Sequence, residues 1–282
     1  MKTNNLIKKS ITAVLAAALA MTSLVACGGS SDYNGYASAY NKVTANGGME
    51  AEFDVKLTMD GEDLTSTGDF KLDTSGDSNI LYYEMHTGDN DIIQFSDGEY
   101  IYTDMGDKKS KYKLGEKPSG GDSGKEETKG SMGEFNKSAF LNEFSSFLEA
   151  GKIKELGLLS PIEKAAISSI KKEGDTYHLT FSDALVKKYL NTLVQNETGK
   201  DADETIQIDE LKDFTYTATE KDGVLTGVTY NGVLTVNVPG SLLSDGADKT
   251  YDLDMDINIT FVDPGSKVTV ELPSTDGFDE VK

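Results

Sequence analysis

The sequence predicts an α+β fold: about ten or eleven antiparallel strands in one large sheet, with about three mid-chain helices packed on a single sheet face. Three observations predict it. Two long segments, Met49 to Met59 and Tyr251 to Phe261, alternate apolar and polar residues without a miss, the mark of a half-buried strand. Asp-Gly dipeptides at 60–61, 97–98 and 222–223 sit between such segments, where a two-residue hairpin needs φ > 0. Apolar residues at helical spacing mark the middle of the chain, at 140–148 and 185–194.

The chain opens with Lys2, Lys8 and Lys9, then runs from Ile11 to Val25 without a charge, and reaches Ala26 and Cys27, its only cysteine. This has the layout of a signal peptide, and Leu24-Val25-Ala26-Cys27 resembles the lipobox of bacterial lipoproteins. The resemblance implies cleavage after Ala26, diacylglycerol on the Cys27 thiol and a protein anchored to the outer face of the cytoplasmic membrane. A transmembrane anchor is disfavoured because the apolar run falls short of the roughly 20 residues that span a bilayer. Gly28-Gly29-Ser30-Ser31 argues against a buried structural cysteine. Residues 27–44 read as a flexible tether and short lead-in, 45–275 as one domain, and 276–282 as a tail.

Within the domain, Met49 to Met59 is followed by Asp60-Gly61. A two-residue turn there places Leu57 opposite Leu64, Ala51 opposite Phe70 and Met49 opposite Leu72, with the apolar rows coincident. Ile80 to His86 is a further strand. A two-residue turn at Asp97-Gly98 would set Phe95 against Tyr100 and Ile93 against Tyr102. Residues 115–133 lose periodicity and read as a mobile loop. Phe140, Leu141, Phe144, Phe147 and Leu148 then form a helical stripe, and Ile153 to Ile162 a second helical stretch. Ala166–Lys172 and Thr176–Phe181 make a hairpin. Ser182 caps a third helix marked by Leu185, Val186, Tyr189, Leu190, Leu193 and Val194. Phe214–Glu220, Val224–Tyr230, Val233–Val238 and Tyr251–Phe261 complete the sheet, closed by Val268, Val270 and Leu272 after the Asp263-Pro264-Gly265 turn.

The net charge is −21, and loss of the three leader lysines would take the mature chain to −24. All 27 basic residues are lysine. Nucleic acid, which binds through accumulated cations, is excluded as a partner. Without arginine there is no bidentate fork for phosphate or carboxylate. With one cysteine there is no intramolecular disulfide, so the core alone holds the fold.

No motif carries catalytic chemistry. The two histidines, His86 and His178, lie in strands and read as surface polar residues. The cysteine and histidine supply is too small for a zinc site, and no P-loop, dinucleotide fingerprint or serine elbow occurs. Asp252, Asp254 and Asp256 alternate with Leu253, Met255 and Ile257, so they form a wet strand face and not a calcium loop. Such a face could hold a cation weakly. Asp201, Asp203 and Glu204 have the same ambiguity. The chain is expected to need no cofactor and to be no enzyme.

The lipobox at Cys27, the meander from Met49, the mid-chain helical block and the ending Val270-Glu271-Leu272-Pro273 together resemble the LolA/LppX/LprG-like lipoproteins. The resemblance implies a curved, incompletely closed β-barrel of about eleven strands. Helices would lie across its concave side, enclosing a cavity for a lipid or acyl chain. Ile93, Phe95, Tyr100, Tyr102, Phe140, Phe144, Phe147 and Leu148 are then the residues expected to line it. The alternative is an envelope protein of the interaction or structural kind, with a filled core and an open sheet edge or exposed patch that binds a protein.

Overall fold

A computed structural model describes residues 31–113 apart from 60, 77–78, 89 and 107, then 167–184, 187, 191, 207–239 and 247–280. Helix α1 spans Ser31–Val43. It is followed by β1 (Gly48–Met59), β2 (Glu62–Asp73), β3 (Ile80–Thr87), β4 (Asn90–Ser96), β5 (Tyr100–Asp104) and β6 (Lys109–Lys113). The second half holds β7 (Ile167–Glu173), β8 (Thr176–Phe181), β9 (Gln207–Lys221), β10 (Val224–Val238), β11 (Lys249–Phe261) and β12 (Asp279–Glu280). All twelve described strands form one sheet in the order β12-β6-β5-β4-β3-β2-β1-β11-β10-β9-β8-β7. Every pairing is antiparallel except β12 on β6.

The sheet is two hairpin meanders joined where β1 meets β11. Their register runs from Ala51 opposite Phe261 to Met59 opposite Leu253, so the two most perfectly alternating segments of the sequence are neighbours. The β1–β2 hairpin has the expected register, with Leu57 opposite Leu64 and Met49 opposite Leu72. Asp222 and Gly223 both take positive φ, 55° and 75°, in the β9–β10 turn, as a type I′ turn requires. The strands expected at 224–230 and 233–238 are one strand, β10. Its ladder continues past an irregularity at Gly232, where Lys212 pairs with Val233 and Thr215 with Asn231. At φ 155° and with Phe214 Cα 2.8 Å from where a Cβ would stand, Gly232 accommodates this bulge.

Because alternation is shared along the ladder, one face of the sheet collects the apolar side chains. Val55, Leu57, Leu72, Leu81, Met85, Tyr216, Leu234, Met255 and Ile257 are all buried there. Each such side chain contributes about 1.5–3 kcal/mol by leaving water. The opposite, outer face carries Glu52, Asp54, Lys56, Asp252, Asp254 and Asp256.

Two expectations are corrected. The described structure is a large sheet with one complete helix, not a sheet under about three mid-chain helices. That helix, α1, falls in the segment read as tether and lead-in. The spacing of Tyr36, Tyr40 and Val43 gives it a buried face that the surrounding Ser, Asn and Gly residues obscure in the sequence. The predicted helices at 140–148 and 153–162 lie outside the described residues. In the third, Asp183, Ala184, Lys187 and Asn191 are helical, and Asn191 exchanges hydrogen bonds with the backbone of Ile208 at 2.7 and 3.0 Å.

Secondly, Val268, Val270 and Leu272 do not form a closing strand. The chain after β11 crosses the outer face instead. Val268 is buried against Gly48, Glu271 lies near Lys71, and the tail ends as β12 beside β6. Gly48 makes this crossing possible, since a Cβ there would come within 2.9 Å of Val268 Cβ.

On the core face, Phe53 stacks on Tyr83 at 5.4 Å between ring centroids, reaching across Gly68, the residue paired with it on β2. A Cβ at Gly68 would lie 2.0 Å from the Glu84 carbonyl oxygen and 2.5 Å from Phe53 Cζ. Gly68→Ala is therefore expected to destabilise the fold by about 1–3 kcal/mol through overpacking, measured by urea denaturation. The Gly61→Ala change, with open space around it, serves as the comparison for backbone strain alone.

Candidate functional site

The aromatic residues predicted from the sequence converge on the outer face. Tyr82, Phe95, Tyr102 and Lys111 stand opposite one another on β3, β4, β5 and β6, forming a single cross-strand row. Phe95 and Tyr102 are stacked, with centroids 4.8 Å apart and planes within 9°. The Phe278 ring meets both edge-on, at 5.7 and 5.3 Å, the favoured geometry for an aromatic pair. Phe95 is completely buried and Tyr102 nearly so. Lys109 Nζ stands 5.4 Å from the Phe278 ring, and Lys111 Nζ 4.9 Å from that of Tyr100.

This corrects the assignment of Ile93, Phe95, Tyr100 and Tyr102 to an internal cavity. Strand parity places all four on the face opposite the main core, where the chain's own C-terminal segment seats Phe278 on the Phe95–Tyr102 pair. Their neighbours Ile92 and Ile101 face the core. The β4–β5 register is also displaced by two residues from the expected one, with Phe95 opposite Tyr102 and Ser96 opposite Ile101. The Asp97 side chain explains the wider loop. Its Oδ1 accepts from the backbone N–H of Glu99 (2.9 Å) and Tyr100 (2.8 Å), and its Oδ2 from the Tyr102 hydroxyl (2.8 Å). A shift of two preserves side-chain parity, so the aromatic residues still share a face. Phe140, Phe144, Phe147 and Leu148, with Ala26 and Cys27, lie outside the described residues.

The core face holds a second cluster that hydrophobic patterning does not reveal. Across β2–β5, Ser66 and Thr87 share a 2.7 Å hydrogen bond, and Gln94 donates from Nε2 to Thr103 Oγ1 at 3.1 Å. Ser96 is buried nearby, and the Tyr83 hydroxyl lies 3.1 Å from Met85 Sδ. Gln94 is fully buried, yet its Oε1 accepts no hydrogen bond. Around this polar group stand Met85, Ile92, Leu81 and Phe70, all buried. With Ile92, Ile93 and Phe95 all apolar, the pattern of β4 does not settle which face is inward, and its register on β3, with Met85 opposite Ile92 and Tyr83 opposite Gln94, turns Ile92 and Gln94 to the core.

At the other end of the core face, α1 docks through tyrosines. The Tyr36 hydroxyl shares a 3.1 Å hydrogen bond with that of Tyr216, and its ring stands edge-on to Tyr216 and Tyr177. Tyr40 is edge-on to Phe261. Burial pushes the Tyr216 and Tyr230 hydroxyls well above the ordinary phenol range, so they stay protonated. Tyr177 donates to Glu220 at 2.8 Å, and Lys172 pairs with the same carboxylate. The carboxyl is held below its ordinary value chiefly by the Lys172 hydrogen bond.

Of the remaining candidates, His86 is on the outer face, 2.8 Å from Asp91 and 3.5 Å from Glu84, and the Asp91 hydrogen bond raises its pKa. Asp252 accepts from Thr235 at 2.7 Å and lies 3.4 Å from Lys212. Asn258 donates to Asp256 at 2.9 Å. Among the described residues no group of three or more His, Cys, Asp or Glu side chains is placed to hold a metal ion, and no helix is long and apolar enough to cross a membrane.

No protein-family model and no curated protein sequence matches the chain. Among solved structures it is similar to a DUF1329 family protein from Desulfovibrio piger, at 9% identity and a TM-score of 0.27, covering 82% of this chain and 91% of that one. It is also similar to a LolA superfamily protein from Nitrosomonas europaea, at 7% identity and a TM-score of 0.24, covering 87% and 96% respectively.

Asp97 gives the outer-face site a pH dependence. Burial raises its pKa, but the Tyr100 and Glu99 N–H groups and the Tyr102 hydroxyl outweigh this and hold the carboxyl below its usual 3.8. A lowered folded-state pKa adds stability above the unfolded value and loses it as pH falls through the folded value. Asp97→Ala is thus expected to lower the melting temperature at pH 7, and the gap to the unaltered protein should narrow steadily below pH 3.8. Paired thermal melts across that range measure it.

Proposed function

We propose that this chain is a lipoprotein anchored through Cys27 to the outer face of the cytoplasmic membrane. It binds a lipid or acyl chain against the core face of its sheet and does no chemistry on it. The observation that carries the ligand reading is Gln94, a fully buried carboxamide whose Oε1 has no hydrogen-bond partner, on the same face as the buried apolar Leu81, Met85 and Ile92. A buried acceptor without a donor costs about 1–3 kcal/mol. A ligand hydroxyl or amide N–H reaching Oε1 would recover that cost, while its apolar part lies along Leu81, Met85 and Ile92. Methionine suits such a wall, because its unbranched, polarizable side chain adapts to an occupant's shape.

The polar group gives the ligand a direction. A plain hydrocarbon gains only burial, whereas an amphiphile with a hydrogen-bond donor near its apolar portion gains burial and the Gln94 contact. Two acyl chains on Cys27 at about 0.8 kcal/mol per buried CH₂ would hold the protein at the bilayer, so the ligand would be held or presented there rather than shuttled through solvent.

The test is native mass spectrometry and solvent extraction of the purified protein, followed by titration with a fluorescent fatty alcohol. The expected result is a co-purifying amphiphile and saturable binding that Gln94→Leu weakens about tenfold, while a hydrocarbon probe of equal length is unaffected. Absence of both a co-purifying lipid and saturable binding would overturn the proposal.

A further inference from the structure

The outer face carries a site that lipid binding does not use. We propose that the edge of β6 on which β12 pairs, together with the Phe95–Tyr102 slot, recognises an extended acidic segment with an aromatic residue from a partner protein. The chain's own C-terminal segment is its releasable resident.

The resident shows what fits. Phe278 seats edge-on against Phe95 and Tyr102, and the next two residues add a parallel strand, Asp279 opposite Ser110 and Glu280 opposite Lys111. Recognition by strand addition works this way, with main-chain pairing supplying affinity and a side-chain pocket supplying selectivity.

Charge narrows the partner further. In a chain of net charge −21, residues 108–113 read Lys-Lys-Ser-Lys-Tyr-Lys. Lys109, Lys111 and Lys113 share the face of the aromatic slot, because they stand opposite Asp104, Tyr102 and Tyr100. The resident that lies along them is Asp-Glu. An acidic extended segment is therefore drawn to this edge, where three lysines line one face of the strand.

The described residues of the resident hold only part of the site. Of the five residues of β6, β12 pairs with two, and Asp279 and Glu280 are exposed. A partner strand that places an aromatic residue in the slot and continues along Lys109 to Lys113 gains ladder hydrogen bonds beyond those of Asp279 and Glu280. It can thus displace the resident despite the resident's covalent advantage.

The experiment is fluorescence polarisation with a labelled peptide of residues 273–282. It is titrated with the full chain, with a form lacking residues 278–282, and with the full-length Phe278→Ala variant, which keeps the measurement decisive if the deletion disturbs folding. The expected result is at least tenfold tighter binding by the deleted form than by the intact chain, with Phe278→Ala in between. Lys111→Glu in the receptor, or Asp279→Lys with Glu280→Lys in the peptide, should weaken binding at least tenfold. Equal binding by intact and deleted forms, or no binding by either, would overturn the proposal. So would a dimer of the intact chain that the deletion dissolves, which would give the slot to the same segment of a second copy.

Discussion

The pairing of β1 with β11 is the constraint on which the rest depends. It joins residues about two hundred positions apart, so loop-closure entropy opposes it, though that cost grows only slowly with length. What offsets it is the match between the two strands. Both alternate perfectly, and the register from Ala51–Phe261 to Met59–Leu253 lays two apolar rows side by side on one face. A slip of one residue would put Leu253, Met255 and Ile257 among the carboxylates of the outer face and drive Asp254 and Asp256 into the core. Once this seam is set, each meander extends outward from it by hairpins, and helix α1 docks near the seam through Tyr40 on Phe261.

A single sheet with such a seam has two faces with different duties. The core face carries the fold and, around Gln94, a polar interruption of its buried apolar surface. The outer face is acidic over β1 and β11, where Asp252, Asp254 and Asp256 alternate with inward residues. Over β4–β6 it turns aromatic and basic. The C-terminal segment links these regions, leaving β11, passing Gly48 with Val268 and reaching β6 with Phe278. With lysine the only basic residue, the cation–π contacts on this face are made by ammonium groups, Lys109 over Phe278 and Lys111 over Tyr100.

Much of the sheet was legible in the sequence because its signals are local. The β1–β2 register followed from Asp60-Gly61 and alternation, and the Asp222-Gly223 turn from dipeptide chemistry. The Asp97 loop was not legible in the same way. Its width is set by a carboxylate that caps Glu99 and Tyr100 and also receives the Tyr102 hydroxyl, a three-way contact that no dipeptide rule encodes. Nor could alternation tell which face of β4 is inward, since Ile92, Ile93 and Phe95 are all apolar. The neighbouring strand decides it, by placing Leu81 opposite Ser96 and Met85 opposite Ile92 on the core side. Phe278 and α1 were missed for one reason: each lies in a stretch of small polar residues, where a few aromatic anchors carry the packing and composition points to a tether or a tail.

The central claim is that the aromatic residues of β4 and β5 serve the outer face, beneath the C-terminal segment, and not the core. An NOE spectrum of protein with labelled Phe and Tyr rings and Leu methyls tests this directly. The account predicts cross-peaks from the Phe278 ring to both Phe95 and Tyr102, whose centroids lie 5.7 and 5.3 Å away. Cross-peaks from Phe95 or Tyr102 to the Leu57 or Leu81 methyls of the core face, with none to Phe278, would contradict it.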